Sequence, residues 1–176
     1  MLELLASKAP VPAGGSVAAL VVSMSAGLVA MAARVSEDAG AVAQAELIRE
    51  RVTPLASKDA HAYGDALASM RSPSGATAEQ RDESIRSALV HAAEVPLQIA
   101  EAAANTASLA ASVAERGSET VRGDAAAAAL LSAAAARAAA NLVAINLAAG
   151  SDNELVARAR GVAEDAADSA RFVLDL

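Results

Sequence analysis

A handful of polar residues interrupt an otherwise apolar, alanine-rich chain, and their types are those of proton transfer and heterocycle recognition. Asp59 and Tyr63 are four apart, hence on one face of a helix. There a carboxylate and a phenol either reach one bound group together or are surface residues sharing a partial hydrogen bond. Glu94 stands two before Pro96, among Ala92, Ala93, Val95 and Leu97. A carboxylate beside a proline bend is either a ligand group or a partner for loosened backbone. Asn141 and Asn146 interrupt the run of Leu142, Val143, Ala144, Ile145 and Leu147. Buried amides must find partners, so they either staple two helices or face a polar ligand. Asp124, in the first turn of its helix, has an ordinary use as a favourable charge at the positive helix end. Arg137 is the only charged residue between Asp124 and Asp152, one turn before Asn141, and is a candidate ion-pair partner or anion contact.

Ahead of these residues, Pro10, Val11, Pro12, Ala13, Gly14, Gly15 and Ser16 lead into a run with no charge until Arg34. The prolines hold the approach extended, the glycines permit close approach, and Ser16 is suited to cap the helix that follows. Unpaired N–H groups at such a start suit a carboxylate, a phosphate or a polar heterocycle, unless the glycines merely make a tight entry into a buried helix. Metal chemistry is poorly supported: there is no cysteine, His61 and His91 are the only histidines, and the doubled Glu-x-x-His of a di-iron bundle is missing. No Walker motif, dinucleotide fingerprint or Ser/His/Asp ordering is present either.

The elements that must position these groups are helices. Aromatic content is 1%, so the core is built from Ala, Val, Leu, Ile and Met, and small residues let helix backbones meet closely. The pattern predicts an all-α, alanine-rich antiparallel bundle of about five main helices in one domain over residues 1–176. Residues 2–7 read as a leading turn, Ser16 to about Glu37 as an apolar helix stopped by Gly40, and about Ala41 to Met70 as a helix kinked or split by Pro54. Ser72 to Gly75 is a turn. Thr77 and Gln80 make a capping box for a long helix to about Arg116, bent at Pro96, where the carbonyl of Ala92 loses its partner. Gly117 and Ser118 break the chain, Gly123 and Asp124 open the next helix to near Gly150, and Asp152 and Asn153 start the last, to about Leu174.

A net charge of −7 argues against nucleic acid or an anionic membrane surface as partner. The uncharged stretch from Ala9 to Ala33 is long enough to raise a membrane span, but its Pro/Gly/Ser opening and Ser23, Ser25 and Gly27 favour a central buried helix. Absence of cysteine makes a reducing cytoplasm the default location.

Several segments taken together resemble the cyclodeaminase and cyclohydrolase family, which includes the cyclodeaminase half of formiminotransferase-cyclodeaminase. The matching residues are Leu5-Ala6-Ser7 with Pro10-x-Pro12-x-Gly14-Gly15-Ser16-x-Ala18-Ala19, then Asp59-Ala60-x-Ala62-Tyr63, Glu94-Val95-Pro96-Leu97, Asp124 with its alanines, and Asn141-Leu142-x-x-Ile145-Asn146-Leu147. The chain departs from the family pattern at Ala13, at Gly123 and in a turn after Pro73 that lacks lysine. The resemblance implies a homodimer that binds a tetrahydrofolate derivative as substrate, with no metal or cofactor required. The activity implied is that of a methenyltetrahydrofolate cyclohydrolase or a formiminotetrahydrofolate cyclodeaminase. In that setting Asp59 or Asp124 carries the proton, and Glu94 reads adjacent ring donors. Gly14, Gly15 and Ser16 lie against the ligand, Tyr63 positions a carboxylate, and Asn141 and Asn146 orient the substrate. A non-catalytic heterocycle-binding dimer and a purely structural helical dimer are the alternatives.

Overall fold

The computed structural model describes Leu5 and residues 13–70, 77–147 and 153–176. The expected turns at residues 2–7 and 72–75 lie outside the described residues, apart from Leu5. The fold is all-helical: α1 Gly14–Val35, α2 Ala39–Val52, α3 Leu55–Met70, α4 Ala78–Arg116, a 3-10 turn Glu119–Val121, α5 Arg122–Leu147 and α6 Glu154–Phe172.

Helix α1 buries Gly15, Ala18, Ala19, Val22, Ser25, Ala26, Val29 and Ala30, a stripe at helical spacing that packs on α5 and α2. It ends earlier than expected. Ser36 closes the helix, and Glu37 takes the left-handed backbone position (φ 58°) that glycine more often fills. Gly40 therefore stops nothing and belongs to the first turn of α2. The Asp38 carboxylate decides this by accepting from the Ala41 N–H at 2.9 Å, which starts a new helix at Ala39. Pro54 splits the next segment rather than kinking it, and the break is held to α1 by Ser23 and Thr53, whose hydroxyls lie 2.7 Å apart.

Helix α4 carries the expected capping box between Thr77 and Gln80 and continues through Pro96. Gly117 and Ser118 end it, and Ser36 anchors that end by accepting from the Ser118 N–H at 2.8 Å. Asn153 caps α6 by accepting from the N–H groups of Leu155 and Val156. Arg158 of α6 pairs with Glu101 of α4 at 2.6 Å.

The core falls into two groups along the bundle. One joins Ala18, Val22, Leu55, Ala93, Ile99, Val143 and Val156; the other joins Val29, Ala33, Ala41, Val113, Val121 and Ala125. By length and composition α1 and the segment Glu119–Leu147 are apolar enough to span a bilayer, yet about half of each window is buried within the fold (50% and 44%). Their other faces expose Val17, Met24 and Val35 on α1 and Leu130, Leu131 and Ile145 on α5.

Alanine packing buries one serine on α1 and one on α5. Ser25 and Ser132 are completely buried, and neither hydroxyl has a hydrogen-bond partner among the described residues. An unpaired buried hydroxyl costs stability, and alanine is also the better helix former. Ser132→Ala and Ser25→Ala are each expected to raise unfolding stability by about 1 kcal/mol. Urea denaturation midpoints check this, and a fall in both variants would refute it.

Candidate active site

The start of α1 is capped from outside its own chain segment. Its N-cap residue, Ala13, has no side chain able to accept a hydrogen bond, so Ser16 is not the cap that the sequence suggests. Ser16 lies inside the first turn, and its hydroxyl donates to the carbonyl of Ala56 on α3 at 2.6 Å. One turn along α3, Asp59 turns its carboxylate onto the same helix start and is only 8% exposed. A Cβ built on Gly15 would fall under 3.0 Å from all three carboxyl atoms of Asp59. Glycine at this position is therefore a requirement of close approach, with no need for an unusual backbone angle.

Two opposing effects act on the Asp59 carboxyl. Burial pushes its pKa above the ordinary value, and hydrogen bonding from Ser16, through backbone and side chain, pulls it down without cancelling the rise. The hydroxyl has one proton, directed at Ala56, so the backbone N–H and the positive end of α1 are the steadier stabilisers of the anion. A carboxyl held this way takes up and releases a proton closer to neutrality than a surface aspartate does.

A second joint lies beside it. Gly14 packs on α5, where its Cβ position lies 3.5 Å from Leu142 Cδ1, and one turn further along α5 Asn146 Nδ2 donates to the Ala92 carbonyl at 2.9 Å. Ala92 carries the carbonyl that Pro96 leaves without its helical donor. Asn146 thus staples α5 to α4 at the proline, which is one of the two uses its burial allows. Asn146→Leu is expected to cost about 1–3 kcal/mol because it leaves a buried carbonyl unpaired, whereas Asn141→Leu, at an exposed position, changes little. Equal denaturation midpoints for Asn146→Leu and the parent chain would refute the staple.

The remaining candidates sit elsewhere on the chain. Glu94 is exposed on α4 and lies 3.1 Å from His91 Nδ1. Asn141 lines a cleft of about 190 Å³ between α5 and α6 with Arg137, Arg160 and Glu164. Asp124 is exposed beside Ala125, whose core group includes Val29 to Ala33 at the far end of α1. At 1.5 Å per residue, that end is roughly 20 Å from Gly15 and Asp59. The Tyr63 side chain lies outside the described residues. Among the described residues no three His, Cys, Asp or Glu side chains gather in a way that could hold a metal ion.

A family model described as formiminotransferase-cyclodeaminase matches residues 1–165. The chain belongs to this family. Its fold is also that of a solved relative, the crystal structure of formiminotetrahydrofolate cyclodeaminase from Thermotoga maritima. The two share a TM-score of 0.87 at 23% identity, over 99% of this chain and 91% of the other. A search of curated proteins returns no match.

In this formiminotransferase-cyclodeaminase family member, one chain brings together Gly14, Gly15, Ser16 and Asp59, with Asn146 on the adjoining joint. It leaves Glu94, Asn141 and Asp124 on separate exposed surfaces. Three contributors were not singled out from the sequence. The Ala56 carbonyl carries no side-chain signal, although it precedes Asp59 by one helical turn, the spacing that puts both against α1. Arg160 and Glu164 join Arg137 and Asn141 only because α6 folds back onto α5, and local spacing says nothing about that return.

Proposed function

We propose that this chain is a folate one-carbon enzyme that uses Asp59 as its proton carrier, acting as a formiminotetrahydrofolate cyclodeaminase or a methenyltetrahydrofolate cyclohydrolase. The observation that carries the reading is the buried Asp59 carboxyl pressed on the glycine start of α1, with its pKa raised. In cyclodeamination the folate's bridging nitrogen attacks the formimino carbon and gives up its proton to a carboxylate. The carbon–nitrogen bond to the departing amine then breaks, and that amine takes a proton and leaves as ammonia. In cyclohydrolysis water adds to the methenyl carbon, again losing a proton, and one ring carbon–nitrogen bond breaks with proton return to nitrogen. Each reaction needs one group that is a base first and an acid second, and a carboxyl whose pKa burial raises above the ordinary value suits both steps better than a surface aspartate. The chemistry of these groups asks for no metal or cofactor. A cysteine-free chain of this composition fits a reducing cytoplasm.

The working unit in this proposal is a homodimer. Exposed apolar side chains on α1 and α5, two helices that pack on each other, support closure against a second copy. A two-fold axis across these helices sets one copy's Asp124 end beside the other's Asp59 end, so Asp124 completes a site that one chain leaves open. The test is loss of methenyl-folate absorbance or its formation from the formimino compound, corrected for spontaneous reaction. Asp59→Asn and Asp124→Asn are expected to be inactive alone and, when mixed and re-paired, to recover about a quarter of the activity, since only mixed dimers hold one intact site. Absence of recovery in a confirmed mixed dimer would remove Asp124 from the shared site. The exposed and separate placement of Glu94, Asn141 and Asp124 in one chain favours a second reading, a non-catalytic heterocycle binder. Heat of binding with no absorbance change would establish it, and neither signal would leave a structural helical dimer.

A further inference from the structure

The cleft between α5 and α6 is a second polar site on a different face of α5 from the one that meets α1: Leu142 faces Gly14, whereas Asn141, Arg137 and Ala144 line the cleft against α6. Its floor is Ala140, Ala144 and Ala163, small enough for the helices to leave about 190 Å³ above them. The polar residues that line it are Arg137, Arg160, Asn141 and Glu164. Among the described residues neither arginine has an acidic partner within 4.0 Å. That is unlike their neighbours on α6, where Arg158 holds Glu101 and Arg171 holds Asp168. Glu164 follows Arg160 by four residues, the less favourable order for a helical ion pair. Arg137 is also the one charge that α5 carries after Asp124, within a run otherwise built for packing.

Two arginines lining one small cleft concentrate positive charge there, and the planar forks of their guanidiniums match a carboxylate. The single carboxylate on the same rim adds a place for an ammonium group, and the alanine floor leaves room for a short apolar side chain. We propose that this cleft binds a small zwitterionic α-amino acid. Arg137 and Arg160 hold its carboxylate, Glu164 its ammonium group, and Asn141 bridges the two. The assignment rests on no step of the folate reaction.

The experiment is a calorimetric and amide-NMR titration of the full chain with L-alanine, propionate and inorganic phosphate. L-alanine is expected to bind saturably at one site and to shift the Asn141 side-chain amide. Arg137→Ala and Arg160→Ala should each weaken it roughly 10- to 100-fold, as loss of a charge-assisted hydrogen bond does. Glu164→Gln should weaken L-alanine and leave propionate unchanged, which separates the ammonium contact from the carboxylate contact. All three substitutions are at exposed positions, and unchanged melting curves would show that the fold is intact. Absence of saturable L-alanine binding, binding indifferent to both arginine variants, or phosphate binding more tightly than L-alanine would each overturn the assignment. None of these outcomes depends on folate turnover, so they stand or fall apart from the proposed reaction.

Discussion

Asp59→Asn is expected to lower turnover of the folate substrate by about 10²- to 10⁴-fold, the range general acid-base catalysis supplies. The variant keeps the size of the side chain and an oxygen to accept from the Ser16 N–H, but it cannot exchange a proton. The fold should therefore survive, and a pH profile separates chemistry from structure. Because burial raises the Asp59 pKa in the folded protein, the parent enzyme's base-dependent rate should climb with pH through a window above the ordinary carboxylate range. Stability moves the other way. Between the unfolded and folded pKa values the native state binds more protons than the unfolded one, so this group's contribution falls as pH rises through that window and is lost above it. Asp59→Asn should be free of this dependence, and at neutral pH it should be at least as stable as the parent. An Asp59→Asn enzyme with parental turnover would end the assignment of Asp59 as proton carrier. A variant that unfolds at neutral pH would show instead that the ionised carboxylate is chiefly a helix cap.

Gly15→Ala is expected to do comparable damage by a different route. The added methyl group would occupy the space of the Asp59 carboxyl, so either that side chain swings away or the α1 start moves off α3. Overpacking of this kind costs about 1–3 kcal/mol, and here it also misplaces the proposed proton carrier. Both stability and turnover should fall, with turnover approaching that of Asp59→Asn. The neighbouring glycines provide the controls. Gly14→Ala meets only Leu142 at an ordinary contact distance of 3.5 Å and should be tolerated. Gly27→Ala meets nothing within 4 Å in the middle of α1 and should stabilise by about 0.5–1 kcal/mol. Thermal melts and the absorbance assay on the three variants distinguish a specific close approach at Gly15 from a general intolerance of alanine. Equal behaviour of Gly14→Ala and Gly15→Ala would refute the close approach.

Local rules in the sequence already contain the all-helical class, the capping box at Thr77 and Gln80, the orphaned carbonyl at Ala92 and the short list of polar residues worth testing. These depend on spacing within a few residues: helical period, cap chemistry and the missing N–H of proline act over one turn. Where two local rules compete, the sequence alone misjudges the winner. Gly40 looks like a helix stop, but Asp38 captures the Ala41 N–H and begins a new helix before glycine can end the old one. Ser16 looks like a cap, but the helix starts two residues earlier and a carboxylate from α3 takes the role.

Tertiary structure alone decides which of the polar residues meet. It sets Asp59 on Gly15 and Asn146 on Ala92, and it sends Asn141 into a different cleft from its neighbour Leu142 because successive helical residues point about 100° apart. It also places Asp124 at the far end of the bundle from Asp59, which no spacing of residues along the chain reveals. Composition can demand a close-packed helical core, but alanines are so alike that they leave the pairing of faces open. The few side chains with distinct shape or charge settle that pairing, once the helices have folded against one another.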